Sequence, residues 1–176
     1  MKLDLITVKQ DEYYTPQYAI DPLLAHIKAR WANPTIWCPF DTEDSLYVKT
    51  FRALGWKVHC THIQNGQDFF QTQETENIDI IVSNPPYSLK NEVFESLFAR
   101  KVPFAMLVGV VGIFESKKRF NLFKDNDFEI MYFDKRISYF KDYNDPKPSL
   151  NPPFSSVYIC QGLLPSKIIF QTINKK

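Results

Sequence analysis

The ten residues Ile78-Asp79-Ile80-Ile81-Val82-Ser83-Asn84-Pro85-Pro86-Tyr87 constrain the fold more than any other stretch of the chain. Ile78 to Val82 is a short, mostly branched aliphatic run, apolar on both faces, as a strand buried inside a parallel sheet must be. The two prolines after Asn84 remove two backbone donors and fix φ, so the chain leaves the sheet there along a rigid path. Ligands of open α/β sheets bind at the carboxyl ends of the strands. The stretch therefore predicts a site with Asn84 and Tyr87 at its mouth. The competing reading is a plain turn, since Asn and Pro are common turn formers.

The rest of the chain supplies a sheet for that strand. Thr15 and Pro16 read as the start of a helix, Thr15 as its N-cap, with Ile20, Leu23, Leu24, Ile27 and Trp31 at helical spacing and Pro22 placed to kink it. Thr35 to Pro39 reads as a first strand, Ser45 to Leu54 as a helix closed by Gly55, and Lys57 to Ile63 as a second strand. Ser88 is placed to cap a helix whose buried stripe is Val93, Phe94, Leu97 and Phe98. Phe104–Val111 is a strand, Glu115–Lys124 a helix, and Phe128–Phe133 a strand. Residues 141–153 form a loop with four prolines, and Ser155–Cys160 is the last strand, antiparallel to its predecessor. The tail from Leu163 lies against the core. Together these predict one α/β domain over residues 1–176 with a Rossmann-like, mostly parallel sheet ending in an antiparallel hairpin, preceded by a loosely held lead-in over 1–12.

A net charge of +1 gives no global signal for nucleic acid, so any such contact is local. The three cysteines, Cys38, Cys60 and Cys160, lack metal spacing and lie in strand-like runs, which predicts buried, reduced thiols and no metal. No long apolar run and no signal-like start occurs, so a cytoplasmic chain without a membrane partner is expected.

Asn84-Pro85-Pro86-Tyr87 resembles the active-site signature of S-adenosylmethionine-dependent amino-group methyltransferases, above all those acting on adenine N6. Trp37-Cys38-Pro39-Phe40-Asp41, Asp68-Phe69-Phe70, Lys135-Arg136-Ile137 and Pro153-Phe154-Ser155-Ser156-Val157-Tyr158 occur around it in one order. Together they are similar to a family of small adenine-specific DNA methyltransferases of phages and prophages of Gram-positive bacteria, over roughly residues 12 to 170. The resemblance implies the methyltransferase variant of the Rossmann-like fold and S-adenosylmethionine as cofactor.

The implied chemistry suits the residue types. The exocyclic amine of adenine is a poor nucleophile because its lone pair is delocalised into the ring. Acceptors on its two hydrogens, the Asn84 side-chain oxygen and the Pro85 carbonyl, draw the nitrogen towards tetrahedral geometry and free the lone pair. Pro85 and Pro86 hold that carbonyl still, and Tyr87 offers a face for a flipped base.

For the cofactor, the resemblance implies Tyr14 and Thr15 at the methionine end, Pro39, Phe40 and Asp41 in the turn after the first strand, His62 near the ribose, and Asp68 with Phe69 at the adenine. Each has a plainer alternative: a capped helix for Thr15, a solvated histidine for His62, a core ring for Phe69. The turn lacks the usual glycine-rich loop and carries Asp41, Glu43 and Asp44 instead. Acids there repel a phosphate-bearing dinucleotide and suit a cofactor bearing an ammonium and a sulfonium, or they favour the dipole of the following helix.

For the acceptor, Tyr87, Phe154 and Ser155 sit by analogy at the base, with Lys117, Lys118, Arg119 and Arg136 as candidate phosphate contacts or a solvated face. DNA is the expected partner, RNA or a protein glutamine amide the alternative, and a catalytically silent binding module a third reading. No separate target-recognition domain fits after Tyr87, so sequence specificity is expected to be low or to come from a protein partner.

Overall fold

A computed structural model describes residues 13–72 and 77–176, so the lead-in over 1–12 lies outside the described residues. The chain forms four helices and seven strands there: α1 (Gln17–Arg30), β1 (Thr35–Cys38), α2 (Leu46–Ala53), β2 (Lys57–Cys60), β3 (Ile80–Ser83), α3 (Lys90–Arg100), β4 (Phe104–Gly109), α4 (Lys117–Lys124), β5 (Glu129–Phe133), β6 (Ser156–Gln161) and β7 (Ile168–Gln171). The strands make one sheet in the order β2-β1-β3-β4-β6-β5-β7. All neighbours pair in parallel except β6, which is antiparallel to both β4 and β5. The fold is thus α/β with a mostly parallel sheet, compatible with a Rossmann-like arrangement.

Alternation along the strands splits the core into two halves. Ile36, Cys38, Ile80, Val82, Ala105 and Leu107 face α1 and α2, whose Ile20, Leu23, Ile27, Val48 and Phe51 are fully buried. The intervening Trp37, Ile81, Phe104, Met106 and Val108 face α3 and α4, against Val93, Phe94, Leu97 and Phe123. Covering both faces is what turns β3 and β4 into unbroken apolar runs.

Three expectations change. Thr15 is not the N-cap of α1: the helix begins at Gln17 with Pro16 in the cap position and no side-chain cap. The Thr15 hydroxyl is instead engaged by Asn84. Ser88 does not cap α3 either, because Tyr87–Leu89 first makes a 3₁₀ turn and the helix starts at Lys90. The sheet also does not end at β6. Insertion of β6 between β4 and β5 leaves the far edge of β5 open, and Ile168–Gln171 from the tail pairs there in parallel. Leu163, Leu164 and Ile173 do reach the core, but Ile168 and Phe170 are 52% and 84% exposed on the edge strand.

Cys38 and Cys160 are buried as expected, whereas Cys60 is half-exposed, and all three are free. Among the described residues no helix is long and apolar enough to cross a membrane, and no cluster of His, Cys, Asp or Glu is arranged to hold a metal.

Candidate active site at the carboxyl edge of the sheet

The chain runs from β1 outwards to β2, then returns to place β3 on the other side of β1. A crevice opens at such a reversal, outside the carboxyl ends of the strands. Here it lies between the turn after β1, which carries Asp41, and the turn after β3, which carries Asn84. A cleft of about 780 Å³ occupies this position, within the range of small-ligand and cofactor sites. Its walls include Tyr14, Thr15, Pro39, Phe40, Asp41, His62, Asp68, Phe69, Asn84 and Pro86. Every expected cofactor residue therefore borders one cavity together with the Asn-Pro-Pro turn.

The Asn84 amide is held by one end only. Its Nδ2 donates to the Tyr13 carbonyl at 2.7 Å and to the Thr15 hydroxyl at 3.3 Å. Its Oδ1 is buried and is the one such side-chain atom among the described residues without a hydrogen-bond partner. A buried carbonyl oxygen left bare costs about 1–3 kcal/mol. A hydrogen-bond donor would satisfy it.

Beside this amide stands an aromatic cluster. The Tyr13 ring lies 4.8 Å from Tyr87, 5.3 Å from Tyr139 and 6.1 Å from Phe154, and Tyr87 and Phe154 meet edge to face at 5.3 Å. The Tyr87 hydroxyl donates to that of Tyr139 at 3.5 Å, which hydrogen-bonds Ser156 at 2.6 Å. Burial pushes the Tyr139 phenol up to about 12 and, with the neighbouring Tyr139, raises Tyr87 well above its usual value. Both stay protonated donors across the physiological range. The strand run gave no sign of Tyr13 or Tyr139; Tyr139 arrives through a two-residue bridge to Leu150. Phe154 reaches the cluster because β4 ends in Gly109, over which its ring lies.

The turn after β1 holds its shape without glycines. Asp41, only 7% exposed, accepts from Ser45 at 2.6 Å and from Ser83 at 2.5 Å. Ser45 also caps α2 through Tyr47 N. Acids dominate the cleft wall: Asp41, Glu43, Asp44, Asp68 and Asp142 against Lys49. Glu43 is paired with Arg52, which holds its carboxyl below the usual range, and Asp44 with Lys49 at 3.9 Å. This field disfavours phosphate and favours a cationic ligand.

His62 is buried, its Nδ1 accepting from Gln64 N at 3.1 Å. Asp68 Oδ1 accepts from Phe70 N at 3.0 Å. Phe69 is mainly core, packed on Trp37 at 5.5 Å and under the Arg100 guanidinium, so Phe40, half-exposed over it at 4.9 Å, is the ring better placed to meet a ligand.

Two wall residues had no motif to announce them. Ile63, 63% exposed on the short turn after β2, presents bare apolar surface to the cleft. Tyr143 brings the 141–153 loop onto it, and burial, then the charge of Asp41, raises its phenol.

The basic residues are dispersed. Arg119 donates to the Gly112 and Ile113 carbonyls and to Asn91, bracing the loop after β4. Lys118 pairs with Glu95 at 2.8 Å. Lys117 and Arg136 are exposed, and Ser155 is half-buried where its carbonyl accepts from Val110 N. Compared with models of known protein families and with curated proteins, the chain matches none.

Proposed function

We propose that this protein is a methyltransferase that uses S-adenosylmethionine to methylate the exocyclic N6 amine of adenine in DNA. The observation that carries this reading is the Asn84 amide, whose Nδ2 is tied down while Oδ1 stays buried without a partner. An acceptor so prepared is matched by an amine hydrogen. The Pro85 carbonyl, held between a strand end and a second proline, is the natural acceptor for the other hydrogen.

The strand order, with the reversed β6 between β4 and β5, supports the methyltransferase variant of the Rossmann-like fold. The residues also fit the cofactor. The acidic wall suits its ammonium and sulfonium, and Asp68 can accept from an adenine amine. Ile63 and Phe40 offer apolar faces for the adenine ring. When bound, S-adenosylmethionine supplies a methyl group made electrophilic by the adjacent sulfonium. Asn84 and Pro85 orient the attacking nitrogen, and Tyr87 with Phe154 holds the base against the aromatic cluster. The methyl would pass to that nitrogen with the carbon–sulfur electron pair left on sulfur, and the proton shed by the nitrogen would go to solvent water.

The same acceptor pair would serve an RNA base or a glutamine amide. The dispersal of Lys118 and Arg119 into protein contacts leaves room for those acceptors. Incubation with labelled S-adenosylmethionine and DNA, RNA or protein extract, followed by mass spectrometry of the product, tests the reading. N6-methyladenine from DNA is expected. Methylated RNA or glutamine would move the acceptor, and a folded protein that neither binds cofactor nor transfers methyl would be a silent module.

A further inference from the structure

The strand that closes the sheet, β7, bonds its one neighbour through alternate residues. Ile130 N donates to the Lys167 carbonyl at 2.8 Å and Asp134 N to that of Gln171 at 3.0 Å. The parallel register between them runs from Ile130↔Ile168 to Phe133↔Gln171. Lys167, Ile169 and Gln171 thus turn their backbone towards β5, and Ile168 and Phe170 turn theirs outwards. Among the described residues, only the exposed Ser166 hydroxyl reaches these outward groups, 3.2 Å from the Ile168 carbonyl.

The side chains of the same two residues stand in water. Ile168 is 52% and Phe170 84% exposed, both on one face of the sheet. Half-buried Tyr132 of β5 lies beside the Phe170 ring at 6.2 Å. Sheet edges are commonly guarded by lysine, proline or a bulge. Ile168–Gln171 contains no lysine or proline and pairs with β5 in unbroken register.

This edge matches itself under a twofold axis. With a second copy laid antiparallel about Ile169, Ile168 of each copy faces Phe170 of the other. Those are the outward-turned residues, so both pairs can exchange their N–H and C=O groups. In that register each Ile168 side chain packs across the strands on the other copy's Phe170, and both rings leave water. Lys167 stands opposite Gln171, so the two lysines do not face each other. A slip of one residue would set outward groups against groups already bonded to β5.

We propose that the protein forms a homodimer by antiparallel pairing of β7 with β7 about Ile169, two sheets running on as one. A second copy is the occupant because the same residues supply both halves of the backbone and side-chain match. β4, β6 and β5 separate β7 from β3, so each copy keeps its cleft open. The dimer does not depend on the methyl-transfer reading.

Sedimentation velocity of the full chain over a dilution series should show a dimer that dissociates as it is diluted. Phe170→Lys should raise the dimer Kd roughly a hundredfold or more, since two buried rings are lost per dimer. Its circular dichroism should not change, because the ring lies outside the core. Ile168→Pro removes an outward N–H that β5 does not use and should also weaken the dimer. Phe120→Lys, at a ring 56% exposed on α4, should leave it intact. Ile169→Cys sets two thiols across the axis with their Cα atoms about 4.5 Å apart, within reach of a disulfide. Mild oxidation should then link that variant into dimers well beyond the wild-type level. A protein monomeric at every concentration, or a dimer that Phe170→Lys leaves untouched, would overturn the proposal. So would hydrogen exchange in which the Ile168 and Phe170 amides stay equally protected on dilution, since the chain itself would then cover the edge.

Discussion

Ser83, the last residue of β3, donates a 2.5 Å hydrogen bond to Asp41, 42 residues earlier in the turn after β1. The two turns that flank the crevice are thereby fastened at their bases, and Ser45 fastens the same carboxylate to the start of α2. A glycine-rich loop approaches a ligand by lacking side chains. This chain shapes the equivalent turn by pinning one carboxylate between two hydroxyls. Asp41→Ala should therefore cost about 1.5–3 kcal/mol, since it leaves two buried hydroxyls without their charged acceptor. Urea unfolding measures it. Ser83→Ala should cost less, and the two losses should not add, because the variants break the same bond.

Asn84→Ala removes the bare oxygen and the anchored Nδ2 together. Methyl transfer should fall at least a hundredfold, the scale of losing one preorganised acceptor at the reacting atoms, while cofactor Kd changes little. Calorimetry and single-turnover kinetics separate the two. Unchanged turnover would remove Asn84 from the mechanism.

Asp68 tests the opposite wall. One of its oxygens is used by Phe70 N, and the side chain is half-buried beside the cleft. Asp68→Ala should weaken cofactor binding by about 1.5–3 kcal/mol, the worth of a charge-assisted hydrogen bond, or roughly ten- to a hundredfold in Kd. Asp68→Asn should recover part of it. A Kd equal to that of the wild type would take Asp68 out of the site.

Sheet and site were legible to different depths. Ile80–Ser83 and Phe104–Gly109 are buried on both faces, so their apolar runs announced central strands directly. β7 was hidden because its sequence, Ile-Ile-Phe, reads as core, whereas two of those side chains lie exposed on an edge that exists only once β6 has inserted. Thr15 shows the same limit at the scale of one residue. A Thr-Pro before an apolar periodicity predicts a cap from local rules, but the hydroxyl is claimed by Asn84, 69 residues away. The Asn-Pro-Pro turn was legible because prolines act locally. The aromatic cluster was not, since Tyr13, Tyr87, Tyr139 and Phe154 meet only through tertiary packing.

Cys60 is half-exposed near the cleft and invites the suspicion of a reactive thiol. Its Sγ donates to Glu43 at 3.2 Å. Burial first, then that hydrogen bond and the Glu43 charge, push the thiol up to about 11. The thiolate is the reactive form, so alkylation by iodoacetamide at pH 8 should be slower than for an unperturbed cysteine and should climb until about pH 11. The sign follows from a raised value: the protonated, hydrogen-bonded thiol prevails below it. Glu43→Gln should remove the charge and speed labelling at pH 8; a rate unchanged by that variant would mean burial alone protects the thiol.

Gly109, which ends β4, is the floor of the aromatic cluster. A Cβ built there would lie 2.9 Å from Cδ2 of the Phe154 ring, closer than side-chain carbons approach one another. The ring cannot yield freely, because it is packed edge to face on Tyr87 at 5.3 Å and near Tyr13 at 6.1 Å. Gly109→Ala should then destabilise the fold by about 1–3 kcal/mol, the usual cost of overpacking, and raise KM for the acceptor while sparing cofactor Kd. Phe154→Ala removes the obstacle. In that background Gly109→Ala should cost little, so the double-mutant cycle should show a coupling of about 1 kcal/mol or more. Additive losses would place the clash elsewhere, and with it the assignment of Phe154 to the acceptor pocket would fall.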